Sequence, residues 1–141
     1  MSLLSMPWKK ITFSAFDTET SGAYPLGADV VELGIYQWRS GEVLRTYQSF
    51  FRPREKMSDF IINIHGITNE MVASAPNISD RISDISLFLE GTVLVAHHAP
   101  FDLGFLVPEF EKARKKFPDV PVLCSSLLAR NLISGVPNHK L

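Results

Sequence analysis

The sequence predicts an α/β domain in which helices pack on a mixed five-stranded sheet. Two observations support this class. The first third of the chain holds three strand-like segments joined by short turns, a pattern typical of antiparallel strands. The remainder alternates segments of helical periodicity with short apolar segments, a pattern typical of helices that connect neighbouring strands.

The three opening strands are expected over about 11–16, 30–38 and 43–51. Residues 11–16 alternate bulky apolar with small side chains, as a strand does. The pair Ser40-Gly41 favours a tight turn between the second and third strands, and Pro53 closes the third. These three strands are therefore expected to form an antiparallel meander.

The second half is expected to begin with a short helix over 69–73, capped by Thr68. A longer helix follows, capped by Asn77 or Ser79 and stopped by Gly91. Its apolar residues fall on one face at helical spacing, and they are Ile78, Ile82, Ile85 and Leu89. Residues 92–96, which are apolar after Thr92, predict a strand buried on both faces.

The last predicted elements are a helix, a strand and a helix. The first helix is expected over 101–117, where Pro108 either kinks it or begins its second half. A short strand follows over 120–124, and Ser125 or Ser126 is expected to cap the final helix.

Composition limits the class of protein. With 141 residues, 45% of them hydrophobic and 21% charged, the chain suits one globular domain. A net charge of −1 argues against a protein that wraps a long duplex through many phosphate contacts. The single Cys124 excludes an internal disulfide and favours a reducing, cytoplasmic location. No apolar run approaches membrane-spanning length, so no membrane partner is expected.

The first ten residues are expected to lie outside the domain. They lack the apolar stretch of a secretory signal, which makes them a leader segment or a cloning remnant. Residues 11–141 are then expected to form the folded domain.

Two acidic residues at the end of the first strand are the leading candidates for chemistry. Asp17 and Glu19 are two residues apart, so their side chains leave the same face of the strand. Neighbouring carboxylates repel each other unless a cation neutralises them. Such oxygen ligands suit Mg²⁺ or Mn²⁺ bound together with a substrate phosphate. A solvated strand edge is the alternative interpretation.

Two further segments, residues 64–68 and residues 97–102, carry candidate residues. Residues 97–102 lie where the apolar strand passes into a helix, and Asp102 falls in the first turn of that helix. Its carboxylate can simply complement the helix dipole. His65, His97 and His98 can simply hydrogen-bond their own loops, and no thiolate or Cys/His spacing suits zinc.

Together, these segments resemble the DEDD exonuclease superfamily in its DEDDh subgroup, and they are similar to proofreading epsilon subunits of bacterial DNA polymerases and to ribonuclease T. Residues 16–22 (Phe-Asp-Thr-Glu-Thr-Ser-Gly) resemble the first exonuclease motif. Residues 65–68 (His-Gly-Ile-Thr) resemble the segment between motifs, and 97–102 (His-His-Ala-Pro-Phe-Asp) the second motif. The resemblance covers about 11–141 and implies a ribonuclease H-like fold.

The resemblance also implies an activity. The enzyme would be a 3′–5′ exonuclease that releases mononucleotides from single-stranded or frayed 3′ ends of DNA, using two divalent cations, Mg²⁺ or Mn²⁺. Asp17, Glu19 and Asp102 would be the catalytic and metal-binding carboxylates. A polymerase subunit would be a further partner. The residues expected to bind substrate are Thr18, Thr20, His65, His98 and Phe101.

The sequence departs from the family pattern at two places. His98 stands where the family usually has Asn, and since both donate hydrogen bonds, a modified site is expected. The third motif, H-x-x-x-x-D on a late helix, has no counterpart. Only three carboxylates follow Asp102, and they are Glu109, Glu111 and Asp119.

We therefore expect a domain truncated before the third motif, without its C-terminal helix and with weak or no activity by itself. Two other functions remain open for the full-length protein. One is a 3′ exoribonuclease in RNA maturation, which a contact to the 2′-hydroxyl would distinguish. The other is a non-catalytic module that binds nucleic acid or a polymerase.

Overall fold

The computed structural model describes residues 2–141 of the chain. Within that range the strands are β1 (Phe13–Thr20), β2 (Val30–Arg39), β3 (Glu42–Phe50), β4 (Val93–Ala96) and β5 (Val122–Cys124). The helices are α1 (Asp59–His65), α2 (Asn69–Val72), α3 (Ile82–Leu89), α4 (Ala99–Lys112) and α5 (Ser125–Leu132).

The strands form one sheet in the order β3-β2-β1-β4-β5. β1, β2 and β3 pair antiparallel, whereas β4 and β5 run parallel to β1. The predicted mixed five-stranded α/β class is therefore confirmed. The helical connections between the parallel strands follow from geometry, since a parallel pair needs a crossover and cannot be closed by a hairpin.

β1 is longer than the sequence predicts, because it continues through Thr20. Its two carboxylates are thus inside the strand, and the pairing explains why. Asp17 lies opposite Gly34 and Glu19 opposite Glu32, so the neighbouring strand holds this acidic stretch extended.

Helix α1 is not anticipated by the sequence pattern. The Ser58 hydroxyl caps its start by accepting from the Ile61 N–H at 3.4 Å. Gly66 ends it in the left-handed conformation, with φ of 78°. Two of its large apolar residues, Phe60 and Ile64, are 73% and 65% exposed, so the helix lacks a clear buried stripe that periodicity could detect.

Three details of the remaining helices correct the sequence prediction. A 3-10 turn over Ile78–Arg81 precedes α3, so the expected single helix has two parts. α4 begins at Ala99 and ends at Lys112, with Pro108 inside it. Neither Ser125 nor Ser126 caps α5, because Cys124 is the N-cap residue and no side chain caps this helix.

The two faces of the sheet differ. Helices α3 and α4 cover one of them, which we call the covered face, and the main core lies between. Along β1 the residues that point into it alternate with exposed ones. The fully buried side chains of this core include Leu33, Ile35, Phe51, Ile82, Ile85, Leu89, Leu94, Leu106 and Phe110.

The opposite face, which we call the open face, carries Ala15, Asp17 and Tyr36 in exposed positions. Near one end of this sheet, Trp8 stacks on Trp38 with ring centroids 6.1 Å apart. Trp8 belongs to one of two 3-10 turns in the N-terminal segment, Leu3–Ser5 and Trp8–Lys10. Across residues 2–141, no helix has the length and apolar character needed to cross a membrane.

Candidate active site

The predicted site lies at one edge of the sheet. Because β1, β4 and β5 are parallel, their carboxyl ends meet there, at Thr20, Ala96 and Cys124. We call this the carboxyl edge. Ligands of open α/β sheets bind outside the carboxyl ends of strands. Helices α4 and α5 begin at this edge, directly after β4 and β5.

Asp17 and Glu19 share the open face of β1. Asp17 is exposed and Glu19 is half-buried, whereas Phe16, Thr18 and Thr20 between and beside them point to the core. The strand alternation that the sequence predicted is therefore confirmed for this pair. The arrangement leaves both carboxylates accessible from one side of the sheet.

Asp102 is placed differently, in the first turn of α4, and is only 2% exposed. Its Oδ1 accepts two hydrogen bonds from Thr18, one from the backbone N–H at 3.0 Å and one from the hydroxyl at 2.7 Å. β4 pairs with β1 only as far as Ala15, so the Thr18 N–H lies beyond the ladder and is free to bind a side chain. The two bonds fix Asp102 beside the strand that carries Asp17 and Glu19.

A fourth carboxylate, Glu32, joins this group, and the sequence analysis missed it. Glu32 lies directly opposite Glu19 across the β1–β2 pair. Its Oε1 accepts a hydrogen bond from Gln48 Nε2 at 2.6 Å. The signal that would have found it is the strand register, because residues directly opposite on paired strands lie side by side on the same face.

The carboxylates influence one another's protonation. Burial raises the pKa of Glu19 above its ordinary value, and the negative charges of Asp17, Glu32 and Asp102 raise it further. Burial also raises the pKa of Asp17; the Thr18 N–H opposes this shift, Glu32 adds to it, and His97 opposes it. These mutual effects show that the groups share one electrostatic environment.

The pKa of Asp102 is raised too, mainly by burial. The Thr18 hydroxyl opposes this shift, and the negative charge of Asp17 adds to it. A hydrogen bond to the ionised form stabilises that form, so Thr18 keeps Asp102 closer to ionisation than its burial alone would allow.

The donor set fits a hard divalent cation. In the stretch 2–141, no three Asp, Glu, His or Cys side chains already stand together at ligating distances. An oxygen-only carboxylate group nevertheless matches Mg²⁺, which is usually held by one or two carboxylates together with water and substrate phosphate rather than by a complete protein cage. Neutralising the crowded carboxylates would also lower the cost of ionising them together.

The turn from β4 into α4 determines the backbone conformation of the residues between them. His98 has a left-handed backbone with φ of 71°, a conformation in which Asn, Asp and His are enriched among non-glycine residues. Because His, like Asn, tolerates this left-handed backbone, it can stand where the family usually has Asn. Phe101 is 36% exposed beside Asp102, and its ring packs against Phe105 with centroids 5.1 Å apart.

The other predicted substrate contacts have partners within the chain. The Thr20 hydroxyl donates to the Gly22 carbonyl at 2.7 Å, and the Thr18 hydroxyl to Asp102. His65 Nδ1 accepts from the Ile67 N–H at 3.0 Å, while its Nε2 is buried without a partner in the described residues. Their roles toward a substrate stay predictions.

A groove on the open face adjoins the carboxylates. It is about 400 Å³ in volume and its lining includes Asp17, Ala15, Tyr36, Val95 and His97. Asp17 is thus at the boundary between a polar edge and a largely apolar surface. His97 lies between β4 and α4, and its Nδ1 is 3.1 Å from the Ser125 hydroxyl.

Comparison with known proteins gives consistent matches. The family model named RNase_T and described as "Exonuclease" matches residues 14–141. The DNA polymerase III subunit epsilon-like protein of Rhodobacter capsulatus is 40% identical over 146 residues, covering 99% of this chain and 20% of that protein. The DNA polymerase III PolC-type of Oceanobacillus iheyensis is 35% identical over 130 residues, covering 92% of this chain and 9% of that protein. The chain therefore spans only a small part of these relatives.

Solved structures show the same fold. Exonuclease X in complex with 5′ overhanging duplex DNA superposes with a TM-score of 0.70 and 28% identity, over 89% of this chain and 67% of the other. E. coli exonuclease I in complex with a dA16 oligonucleotide superposes with a TM-score of 0.77 and 18% identity, over 86% of this chain and 30% of the other. At this identity the match shows the fold alone. A zinc-bound form of the exonuclease I–ssDNA complex gives the same TM-score and identity. The ribonuclease H-like fold is thereby confirmed, and divalent-metal dependence is general in this family.

Proposed function

The chain belongs to the exonuclease family, and from that premise we propose that its parent protein is a metal-dependent 3′–5′ exonuclease that releases mononucleotides from DNA 3′ ends. One observation carries the proposal. The buried Asp102 is fixed by two hydrogen bonds from Thr18, the residue that separates Asp17 from Glu19. Residues of the first and second motifs thus meet at the carboxyl edge although they are 84 positions apart.

We assign the metal site to Asp17, Glu19 and Asp102, with two Mg²⁺ or Mn²⁺ ions as the expected occupants. Bound cations of this kind polarise a phosphodiester, activate water at neutral pH and stabilise the leaving oxygen. The chain's own part is to present ionised carboxylates. Asp17 and Glu19 offer theirs to solvent, and Thr18 holds Asp102 in one orientation as a positioning residue.

Substrate contacts are proposed for the side chains around this edge. Phe101 offers a half-exposed ring beside Asp102, suited to stack on a base, since stacking on aromatic rings tolerates any base. The exposed imidazole of His98 offers a hydrogen-bond donor. His65, whose buried Nε2 has no partner among the described residues, and the strand residues Thr18 and Thr20 are proposed as substrate contacts from the family resemblance.

By resemblance, the third motif would supply a His as general base and an Asp as fourth carboxylate, and the carboxylates after Asp102 do not stand in that pattern. At 1.5 Å per helical residue, Glu109 lies about 10 Å further along α4, and it is paired with Lys112 at 2.6 Å. We propose that both groups belong to other parts of the longer parent. The reading frame after Leu141 tests this, because about 25 residues without H-x-x-x-x-D would contradict it.

DNA is the proposed substrate rather than RNA. The names of the relatives point to DNA polymerase III, and the structures of exonuclease X and exonuclease I hold DNA. A polymerase subunit and a cytoplasmic location are proposed on the same basis. A non-catalytic binding role is the outcome to be expected if hydrolysis is absent.

The decisive experiment uses the parent protein with matched 5′-labelled DNA and RNA oligonucleotides. We expect a ladder of DNA products shortened from the 3′ end in Mg²⁺, and none in EDTA. Asp17→Asn should abolish the ladder, whereas Asp119→Asn, in an exposed loop, should leave it unchanged. Faster digestion of RNA would replace the DNA assignment, and hydrolysis that survives Asp17→Asn would contradict the proposed site.

A further inference from the structure

Beside the carboxylates lies a second cavity of opposite charge. It is about 390 Å³ in volume and lies where β4 and β5 pass into α4 and α5. Its lining contains no acidic residue among those described, and includes His97, His98, Ser126, Arg130, His139 and Lys140. We call it the basic pocket.

The two formal cations of the basic pocket have no acidic partner. The ion pairs in the part of the chain that the structure describes join Arg54 to Asp29, Arg81 to Asp84 and Lys112 to Glu109. Arg130 and Lys140 take part in none of them. In a chain of net charge −1, two unpaired cations at one cavity therefore concentrate positive charge locally.

Two cavities near the start of β2 differ from the basic pocket, because their linings contain acidic as well as basic residues. One is lined by Asp29, Arg54, Glu55 and Lys56, and its Arg54 is neutralised by Asp29 at 2.8 Å. In another, Lys112 is bound to Glu109 at 2.6 Å. Each of these two cavities also has a cation outside the ion pairs, Lys56 in the first and Arg52 in the second, but carboxylates in the same lining offset its charge.

His97 joins the basic pocket to the carboxylate site. It lines both the basic pocket and the groove that contains Asp17. Its ring nitrogens face oxygen atoms on two sides, the Ser125 hydroxyl at 3.1 Å and the His139 carbonyl at 2.5 Å. These contacts tie the segment that carries Lys140 to the end of β4 and keep the basic pocket beside the acidic cluster.

We propose that the basic pocket binds a phosphate group of the nucleic acid, away from the phosphate being cleaved, and so holds the strand against the carboxylate cluster. This inference rests on the proposed function for the identity of its ligand. Arg130 supplies a planar fork of donors that matches a phosphate, and Lys140 a mobile point charge. The carboxylates by themselves would repel a polyanion, so a cationic contact beside them gives the strand a place to bind.

The test is metal-free binding of a fluorescent single-stranded oligonucleotide to this chain in EDTA, measured by anisotropy over a range of salt concentrations. Arg130→Gln combined with Lys140→Gln should weaken binding about tenfold. The slope of log K against log salt should fall by roughly 0.7 for each phosphate that the variant no longer neutralises. A control pair, Arg114→Gln with Lys116→Gln, removes the same charge from residues beyond the far end of α4 and should change affinity less than twofold.

Equal affinity of the basic-pocket variant and the unaltered chain would overturn the inference, and so would an equal loss in the control pair. If the double variant does not fold, the single variants Arg130→Lys and Lys140→Gln replace it. An oligonucleotide affinity unchanged in both single variants overturns the inference. A deoxynucleoside monophosphate that competes with an affinity equal to that of the oligonucleotide would overturn the inference. The basic pocket would then be a site for the released product. Preferential binding of a poly-glutamate peptide would contradict the nucleic-acid ligand.

The parent's hydrolysis separates this inference from the proposed function. If the basic-pocket variant keeps its KM and kcat while Asp17→Asn is inactive, the inference fails and the function stands. If no variant hydrolyses DNA but metal-free binding falls as expected, the function fails and the basic pocket stands. A raised KM with nearly unchanged kcat is the result expected when both are correct.

Discussion

The covered and open faces are built from the same strands, yet they follow different rules. On the covered face every second side chain of β1 is buried, from Ser14 to Thr20. On the open face, Asp17 and Tyr36 are exposed and a groove of about 400 Å³ remains. Period-2 alternation thus separates the residues that stabilise the fold from those available for chemistry.

Polar groups show the same contrast. On the covered face, the buried Gln37 donates to the Phe88 carbonyl at 2.6 Å and accepts from Arg45 Nε at 2.7 Å. On the open face, burial raises the pKa values of Asp17 and Glu19, and the negative charge of Glu32 raises both further. The covered face thus pairs the buried Gln37 amide within the chain, although the Tyr47 hydroxyl on that face is buried without a partner among the described residues. The open face instead gathers carboxylate charge where a ligand is expected.

The largest expected effect comes from removing core volume on the covered face. Phe110 is fully buried and packs against Phe117 with centroids 4.9 Å apart. Phe110→Ala should cost about 3–5 kcal/mol of the free energy of unfolding, because it loses burial and leaves a cavity. Tyr36→Ala, at an open-face position that is 58% exposed, should cost less than about 1 kcal/mol. Urea denaturation of both variants checks this, and similar losses would remove the distinction between the faces.

The next effect concerns the polar network. Gln37→Ala should cost up to about 3 kcal/mol, because it leaves the Phe88 carbonyl and the Ser14 hydroxyl with fewer partners in a buried setting. Gln48→Ala loses one exposed hydrogen bond to Glu32 and should change stability by less than about 0.5 kcal/mol. Thermal unfolding compares the two, and an equal loss would indicate that the network adds nothing.

Thr18 positions Asp102 from within the strand that carries Asp17 and Glu19. Thr18→Val keeps the shape but removes the hydroxyl donor to Asp102, at a cost of about 1.5 kcal/mol. That hydroxyl lowers the pKa of Asp102, so its loss should raise this pKa further and shift metal binding to higher pH. Mn²⁺ binding measured against pH tests the shift. Thr18→Ser keeps the donor and should behave like the unaltered chain; a pH profile shared by all three would argue against the positioning role.

The smallest effect has the opposite sign. The pKa values of Asp17 and Glu19 are raised in the fold, so the folded state retains protons longer than the unfolded state. Stability without metal should therefore fall as pH rises through these raised values. Asp17→Asn removes part of the repulsion and should stabilise the metal-free chain by a few tenths of a kcal/mol at neutral pH, on the order of exposed charge interactions.

Melting temperatures in EDTA measure this gain. It should disappear as the pH falls and the carboxyl groups become protonated. Asp119→Asn, at an exposed carboxylate outside the cluster, serves as the control. A loss of stability in Asp17→Asn under these conditions would mean that the carboxylates do not repel one another.

Local patterns predicted much of the fold. The apolar run ending at Ala96 predicted β4, and the helical spacing of Ile82, Ile85 and Leu89 predicted α3, because these segments bury a regular set of side chains. Helix α1 was missed because exposed Phe60 and Ile64 blur its pattern. β1 extends past its two carboxylates because β2 pairs with it there, and not because of local strand propensity.

The site was only partly predictable for a related reason. Asp17, Glu19 and Asp102 were identified from their motifs, but the Thr18–Asp102 bonds join residues 84 positions apart. Glu32 enters through the register of β2, and the basic pocket through the junction of β4, α5 and the segment around Lys140. Such contacts depend on tertiary geometry, which spacing along one chain does not encode.

The central claim is that the carboxylate cluster at the carboxyl edge binds a divalent cation. Calorimetric titration of this chain with Mn²⁺ tests it most directly, using Asp17→Asn and, as a matched control, Glu111→Gln at the exposed far end of α4. The unaltered chain and Glu111→Gln should bind Mn²⁺ with equal affinity, and Asp17→Asn should bind at least tenfold more weakly. Equal affinity in all three proteins would contradict the assignment of the metal site to this cluster.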